Sequence, residues 1–328
     1  MPDTSILRPG VYAPVVTPFT DDSETIDLPA FKANIARLAK AGVGLVLGGT
    51  LGEGPLLDRE ERVTLIKAAR QTIQENGLDG NIPLISGIVG ASVRECQAQA
   101  AEAAAAGADA VIVVAPGYFA FVYGKNKAAL REFFTAVADS SQVPVFIYNI
   151  PFAAGGIDLD AEFLIDISEH QNIAGVKLTC FNIAKGYRVA LHANSPAYRT
   201  RHPLPFLVMP GSTDYLLPAL VGRQHGCIGG PANLYPKTCV EIFQKATEAL
   251  ETGNLDLLRQ AQELQDRVSE ADAVINSVGF LAIKTALKLY VPGNANDTFR
   301  RPLPGLDRET TEKLQAGLAA IFEIENSL

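Results

Sequence analysis

The 328-residue sequence predicts an α/β protein, a single (β/α)8 or TIM barrel with a C-terminal helical extension. Three observations carry that expectation. Eight short runs rich in Val, Ile and Leu alternate with longer amphipathic stretches, as in a closed parallel barrel. Most runs are continuously apolar rather than alternating, as strands covered on both faces require. Beyond Tyr235 the strand signal stops and only helical periodicity remains.

In chain order, the run at 11–16 leads to a helix over 29–41, opened by Asp27 as a cap and closed at Gly42. The run at 43–48 precedes a helix over 59–76, and 84–89 precedes one over 93–107, capped by Ser92 and closed at Gly107. Runs at 110–114 and 145–148 lead to helices over 127–140 and 160–170. The run at 174–178 is followed by an ambiguous segment, read as a helix over 181–191. Residues 192–205, with Pro196, Pro203, Pro205 and an Arg/His cluster, read as an inserted loop. Runs at 206–209 and 227–229 complete the set, with a helix over 214–225 between them. Helices over 236–253, 255–270, 276–290 and 308–325 follow. The barrel then occupies 1–235, its last helix reaching about residue 252, and 253–328 form an extension packed on it. An open doubly wound sheet is the lesser alternative.

Composition narrows the function. With 28 Lys+Arg against 36 Asp+Glu the net charge is −8, which argues against nucleic acid or an anionic membrane as partner. No run approaches the ~18 apolar residues of a membrane span. Cys96, Cys180, Cys227 and Cys239 form no CxxC pair, so they read as reduced thiols of an intracellular protein. The early Asp3 and the lack of a basic-then-apolar leader leave secretion unsupported and favour the cytosol, with an organelle matrix open. The four histidines show no ligand spacing, and neither HExxH nor GxSxG occurs, so no metal or cofactor is expected.

In such a barrel the chemistry sits at the carboxyl ends of the strands. Lys177 stands near the end of the apolar run IAGVKLT. Burial there disfavours the ammonium, and an amine so tuned can attack a carbonyl to form a Schiff base. The competing reading is a lysine that snorkels to water, the default for the other lysines. Tyr148 ends the preceding run, so its phenol can converge on Lys177 and shuttle a proton; capping the barrel core is the alternative role. The turn GGTLGEG at 48–54 offers backbone amides and the Thr50 hydroxyl to a carboxylate, and matches no nucleotide motif. The aromatic loop PGYFAFVY at 116–123 reads as a substrate wall or an oligomer contact.

These residues together resemble the dihydrodipicolinate synthase / N-acetylneuraminate lyase family of Schiff-base aldolases. The likeness runs through Thr17-Pro18-Phe19, the 49–53 turn, Tyr148-Asn149-Ile150-Pro151, Gly175-Val176-Lys177, Gly211-Ser212-Thr213-Asp214, the stretch 226–233 and the helical tail. The resemblance implies that Lys177 attacks a 2-oxo acid and that Tyr148 relays protons. It implies that Thr50 links Tyr148 to Tyr118, which in the family reaches in from a neighbouring subunit of a homotetramer built as a dimer of dimers. It implies that the carboxylate rests on the Thr50–Leu51 turn, that Ile228 turns its carbonyl towards the site, and that Gly211 belongs to the substrate-binding set.

Departures from the family pattern narrow the substrate. Leu51 stands where many members have a second hydroxyl, and Leu178 replaces a polar residue. Ala153 stands where lysine-pathway synthases place an arginine for a second carboxylate, which counts against aspartate semialdehyde as acceptor. Arg188, Arg199 or Arg201 is the available substitute cation. The first expectation is therefore an aldolase splitting a 2-keto-3-deoxy sugar acid, or a related 4-hydroxy-2-oxo acid, into pyruvate and an aldehyde, with Thr179 contacting substrate hydroxyls. A dihydrodipicolinate synthase and a catalytically silent binding barrel are the alternatives.

Overall fold

The computed structural model describes residues 6–202, 204–294 and 296–328; Asp3 and Pro203 lie outside them. Eight parallel strands occur where the apolar runs place them: β1 (Gly10–Pro14), β2 (Gly44–Leu47), β3 (Leu84–Ile88), β4 (Ala110–Val114), β5 (Val145–Asn149), β6 (Ile173–Leu178), β7 (Leu207–Pro210) and β8 (Gly226–Ile228). They pair consecutively from β1 to β7, and β8 pairs with β1. The seam between β7 and β8 is closed by His225, whose N–H donates to the Val208 carbonyl at 2.9 Å. Its Nδ1 accepts from the Val208 N–H at 3.0 Å, so the ring is held neutral, and burial with the nearby Arg199 charge lowers its pKa to about 4. The eight strands thus form a nearly closed barrel, not the open sheet.

The barrel interior follows from side-chain size. Tyr12 and Phe146 fill it, and the neighbouring strands answer with glycine. A Cβ on Gly44 would stand 2.3 Å from the Tyr12 ring, and one on Gly175 would stand 2.5 Å from Phe146. Large against small across adjacent strands is how such a core packs without voids.

Around it lie α1 (Leu28–Lys40), α2 (Arg59–Glu75), α3 (Val93–Ala105), α4 (Ala120–Tyr123), α5 (Lys127–Ser140), α6 (Ala161–Ser168), α7 (Ile183–Ala193), α8 (Pro196–Arg201), α9 (Leu216–Val221) and α10 (Pro236–Thr252). Asp27 and Ser92 cap α1 and α3 as expected, accepting from the Ala30 and Glu95 amides. The expected inserted loop is instead mostly helical. Helix α7 runs on to Ala193, and Ser195 caps α8 by accepting from the Tyr198 N–H at 3.2 Å. Pro196 starts that helix, where a missing N–H costs nothing. Tyr198 pins it inward, donating to the Ser168 carbonyl at 2.8 Å.

The extension comprises α11 (Leu255–Val278), α12 (Leu281–Tyr290) and α13 (Arg308–Ser327). The helix expected over 276–290 is interrupted: α11 continues to Val278 and breaks at Gly279, whose φ of 93° only glycine adopts readily. Helix α9 is shorter than expected, and α4 was not foreseen. None of these helices is long and apolar enough to cross a membrane.

One buried ion pair joins extension to barrel. Lys284 on α12 donates to Glu53 in the turn after β2, and the two side chains are 3% and 0% exposed. Burial lowers the Lys284 pKa, offset in part by the Glu53 charge. Lys284→Met should strand the Glu53 carboxylate and cost about 3–5 kcal/mol of stability, read by urea denaturation. Adding Glu53→Gln should restore part of that loss; equal losses in the single and double variants would mean the pair does not couple the two regions.

Candidate active site

Strand register sets the centre of the site. In the parallel ladder of β5 and β6, Tyr148 stands opposite Lys177 and Asn149 opposite Leu178. Both side chains enter the mouth of the barrel, where the Lys177 Nζ lies 4.3 Å from the centre of the Tyr148 ring. Each is almost fully buried, Lys177 at 4% and Tyr148 at 6% exposure. Burial raises the phenol's pKa, but the Lys177 charge and the neighbouring Thr179, Lys177 and Thr50 side chains lower it further. The phenol therefore sits below the ordinary tyrosine range, suited to giving and taking a proton. Thr179 Oγ1 is buried beside the phenol and makes no hydrogen bond of good geometry within the protein.

Two cavities meet over this pair and share Pro14, Thr50, Tyr148, Ile150 and Lys177. One, of about 410 Å³, extends over the ends of β2–β4 to Tyr118 and Ala153. The other, of about 320 Å³, extends over Leu51, Thr179, Gly211 and Ser212 to the α11–α12 junction. Ile228 does not line either; it is fully buried in the barrel interior with Tyr148 and Met209, and Gly230 and Pro231 form the wall beside it. Tyr118 is 83% exposed at the rim, its ring edge-on to Phe119.

The GGTLGEG turn owes its glycines mainly to its own packing. A Cβ on Gly54 would come within 1.9 Å of the Gly48 carbonyl, and one on Gly87 within 2.5 Å of the same atom. Thr17 braces the turn by donating to the Gly52 carbonyl at 2.7 Å. Glu53 takes a left-handed backbone, with φ of 54°, and aims its carboxylate away to Lys284 and the Arg300 N–H. Asn149 holds the loop that follows β5, donating to Asp158 at 2.8 Å and accepting from the Leu159 N–H at 3.0 Å. Gly211 leaves room for Thr179: a Cβ there would stand 2.0 Å from its hydroxyl.

Lys177 is the one cation lining either cavity among the described residues. Arg199 and Arg201 are engaged elsewhere, with Asn194 and Glu169, and Arg188 faces solvent outside both cavities. No three His, Cys, Asp or Glu side chains among the described residues converge as metal ligands would. The sequence did not expose Asp272, which lines the second cavity. Burial raises its pKa to about 7, and it accepts from Thr213 and Tyr235, each at 2.6 Å. The default of solvated lysines also fails for Lys185 and Lys284, which are buried against Asp158 and Glu53.

A buried lysine beside an acidified phenol at the mouth of a (β/α)8 barrel is an arrangement that can form a Schiff base with a carbonyl compound. The profile of the dihydrodipicolinate synthetase family matches residues 8–321. The chain is 37% identical to L-threo-3-deoxy-hexylosonate aldolase of Aspergillus niger, over 98% of this chain and 97% of that one. It is 36% identical to an Emericella nidulans protein named "Probable 4-hydroxy-2-oxoglutarate aldolase, mitochondrial", over 98% and 97%. A crystal structure of a dihydrodipicolinate synthase family protein from Coccidioides immitis superimposes with a TM-score of 0.82 at 30% identity, covering 98% of each chain. The chain belongs to the dihydrodipicolinate synthetase family and is an enzyme, an aldolase of the class I type.

Removing the phenol tests the geometry directly. Tyr148→Phe should slow carbon–carbon cleavage by roughly 10²–10³ with little change in KM. An unaltered kcat would take Tyr148 out of the proton path.

Proposed function

We propose that this enzyme reversibly cleaves a 2-keto-3-deoxy-hexonate into pyruvate and a three-carbon aldehyde through a Schiff base on Lys177. The observation that carries the substrate choice is charge: among the described residues neither cavity presents a cation besides Lys177. Once Lys177 is bound to the substrate, a second carboxylate has no free cation to meet. A neutral hydroxylated tail meets the Thr179 and Ser212 hydroxyls instead. That ranks a sugar acid above 4-hydroxy-2-oxoglutarate, and both above aspartate semialdehyde, for which Ala153 offers nothing.

The Lys177 amine adds to the C2 ketone, and loss of water gives the iminium. The amides of the Thr50–Leu51 turn hold the C1 carboxylate, with the Thr50 hydroxyl beside the phenol. Tyr148, as phenolate, takes the proton of the C4 hydroxyl. The C3–C4 bond breaks, its electron pair passes into the iminium, and the aldehyde departs. Protonation of the enamine at C3 and hydrolysis return pyruvate and the free lysine.

A homotetramer built of dimers is part of the same proposal. Two apolar patches are uncovered on one chain: Tyr118, Phe119, Phe121 and Val122 at the cavity rim, and Ile183, Tyr187 and Leu191 along one face of α7, with Val221 exposed at the end of α9. The first would bring Tyr118 to a neighbouring site, in line with Thr50. Sedimentation should report a tetramer that Tyr187→Glu with Leu191→Glu reduces to a dimer; a monomeric parent protein would sink the assembly. The four free thiols suit a reducing compartment, the cytosol or an organelle matrix.

The function itself is tested by coupled pyruvate release from 2-keto-3-deoxy-gluconate, 2-keto-3-deoxy-galactonate and 4-hydroxy-2-oxoglutarate, with pyruvate plus aspartate semialdehyde as the condensation control. Turnover of a sugar acid is expected. Borohydride with pyruvate should trap an adduct on the parent protein and none on Lys177→Ala, which should retain its fold without activity. Activity in the condensation control alone would overturn the substrate, and trapping on Lys177→Ala would overturn the nucleophile.

A further inference from the structure

The second cavity is walled on its far side by the C-terminal extension, through Asp272, Ile275 and Asn276 of α11 and Gly279, Phe280 and Ile283 beyond it. Asp272 and Asn276 are four residues apart and so share one helical face. Their chemistry differs. Both oxygens of Asp272 are occupied, by the Thr213 and Tyr235 hydroxyls. Ser212, across the cavity, accepts from the Asp214 N–H at 3.2 Å and keeps its O–H to donate. Asn276 is exposed and its side chain makes no hydrogen bond to any described group, so its carboxamide keeps both donor and acceptor capacity for a ligand.

One cavity is lined both by Lys177, Tyr148 and Thr179, each less than a tenth exposed, and by the exposed Asn276. A six-carbon acid held at C2 by Lys177 and at C4 by Tyr148 would extend its C5–C6 tail into this cavity, past Thr179 towards Asn276. On the reading that the substrate is a 2-keto-3-deoxy-hexonate, we infer that Asn276 is a specificity-determining residue. Its carboxamide hydrogen-bonds the C6 hydroxyl and so selects six-carbon over five-carbon acids. The amide suits an alcohol because it can give and receive a hydrogen bond, and it carries no charge to set against Asp272. Phe152 and Phe181, also at this cavity, have only apolar rings to offer the tail.

Steady-state pyruvate release from a 2-keto-3-deoxy-hexonate and from the 2-keto-3-deoxy-pentonate that lacks C6 tests the inference, with parent protein and Asn276→Ala. For the hexonate the variant should raise KM about tenfold with kcat nearly unchanged, the loss of one hydrogen bond made equally in ground and transition states. For the pentonate it should match the parent protein, and its thermal midpoint should be unaltered because no internal contact is removed. An unchanged KM for the hexonate, or equal losses on both acids, overturns the role of Asn276 while leaving the aldolase reading intact. A parent protein that releases pyruvate from neither sugar acid overturns that reading, and the inference with it.

Discussion

The site depends on a charge that is buried on purpose. Glu53 sits at the end of the turn that carries Thr50 and Leu51, and its carboxylate is met by Lys284 and by the Arg300 N–H. The Lys284 Nζ lies 4.8 Å from the centre of the Phe19 ring and 4.5 Å from that of Phe299, and the Arg300 guanidinium lies 4.5 Å from the centre of the Phe19 ring. Arg300 then reaches Glu61 at 2.6 Å, while Glu61 closes the capping box of α2 with Asp58. One network therefore fixes the turn after β2, the start of α2 and the segment after α12. Such a pair adds little net stability against an apolar equivalent, because desolvation offsets attraction. What it secures is register: a turn with a left-handed Glu53 has one place to put its carboxylate.

Around that anchor the site divides its work by direction. In the proposed reaction the turn after β2 meets the carboxylate end of the substrate with amides, which attract an anion without carrying charge. The strands β5 and β6 supply the reacting groups side by side. The extension walls one side of the second cavity. On that reading a protein of net charge −8 would hold an anion with one lysine and a few backbone dipoles. Asp272 sits within that wall as the end point of the Thr213 and Tyr235 hydroxyls, which bind β7 and α10 to α11.

The strands were legible in the sequence because burial on both faces leaves an unbroken apolar run, and Lys177 stood out as a cation inside one. Its pairing with Tyr148 followed because the two sit at the ends of consecutive runs. The misread parts have local causes. Three prolines between 192 and 205 looked like a loop, although Pro196 stands at the one helical position that tolerates proline. Apolar periodicity carried over Gly279 and joined what are two helices. The glycines of the 48–54 turn were read for ligand approach, whereas Gly48, Gly54 and Gly87 serve contacts between backbones. The burial of Lys284 could not be read at all, since its partner is 231 residues away.

That the far wall belongs to α11 and α12 has a consequence for how the enzyme comes into being. During synthesis the chain emerges from its amino end, and domains fold as their segments appear. By the time Ile228 is made, all eight strands, the nucleophile and the phenol exist. Glu53 then still lacks its counter-charge, and the tail side of the cavity is open to water. Contacts between such distant segments are also the slow ones to form. The α11–α12 wall of the second cavity is thus the last part of the site to be added, after Lys177 and Tyr148 are already in place.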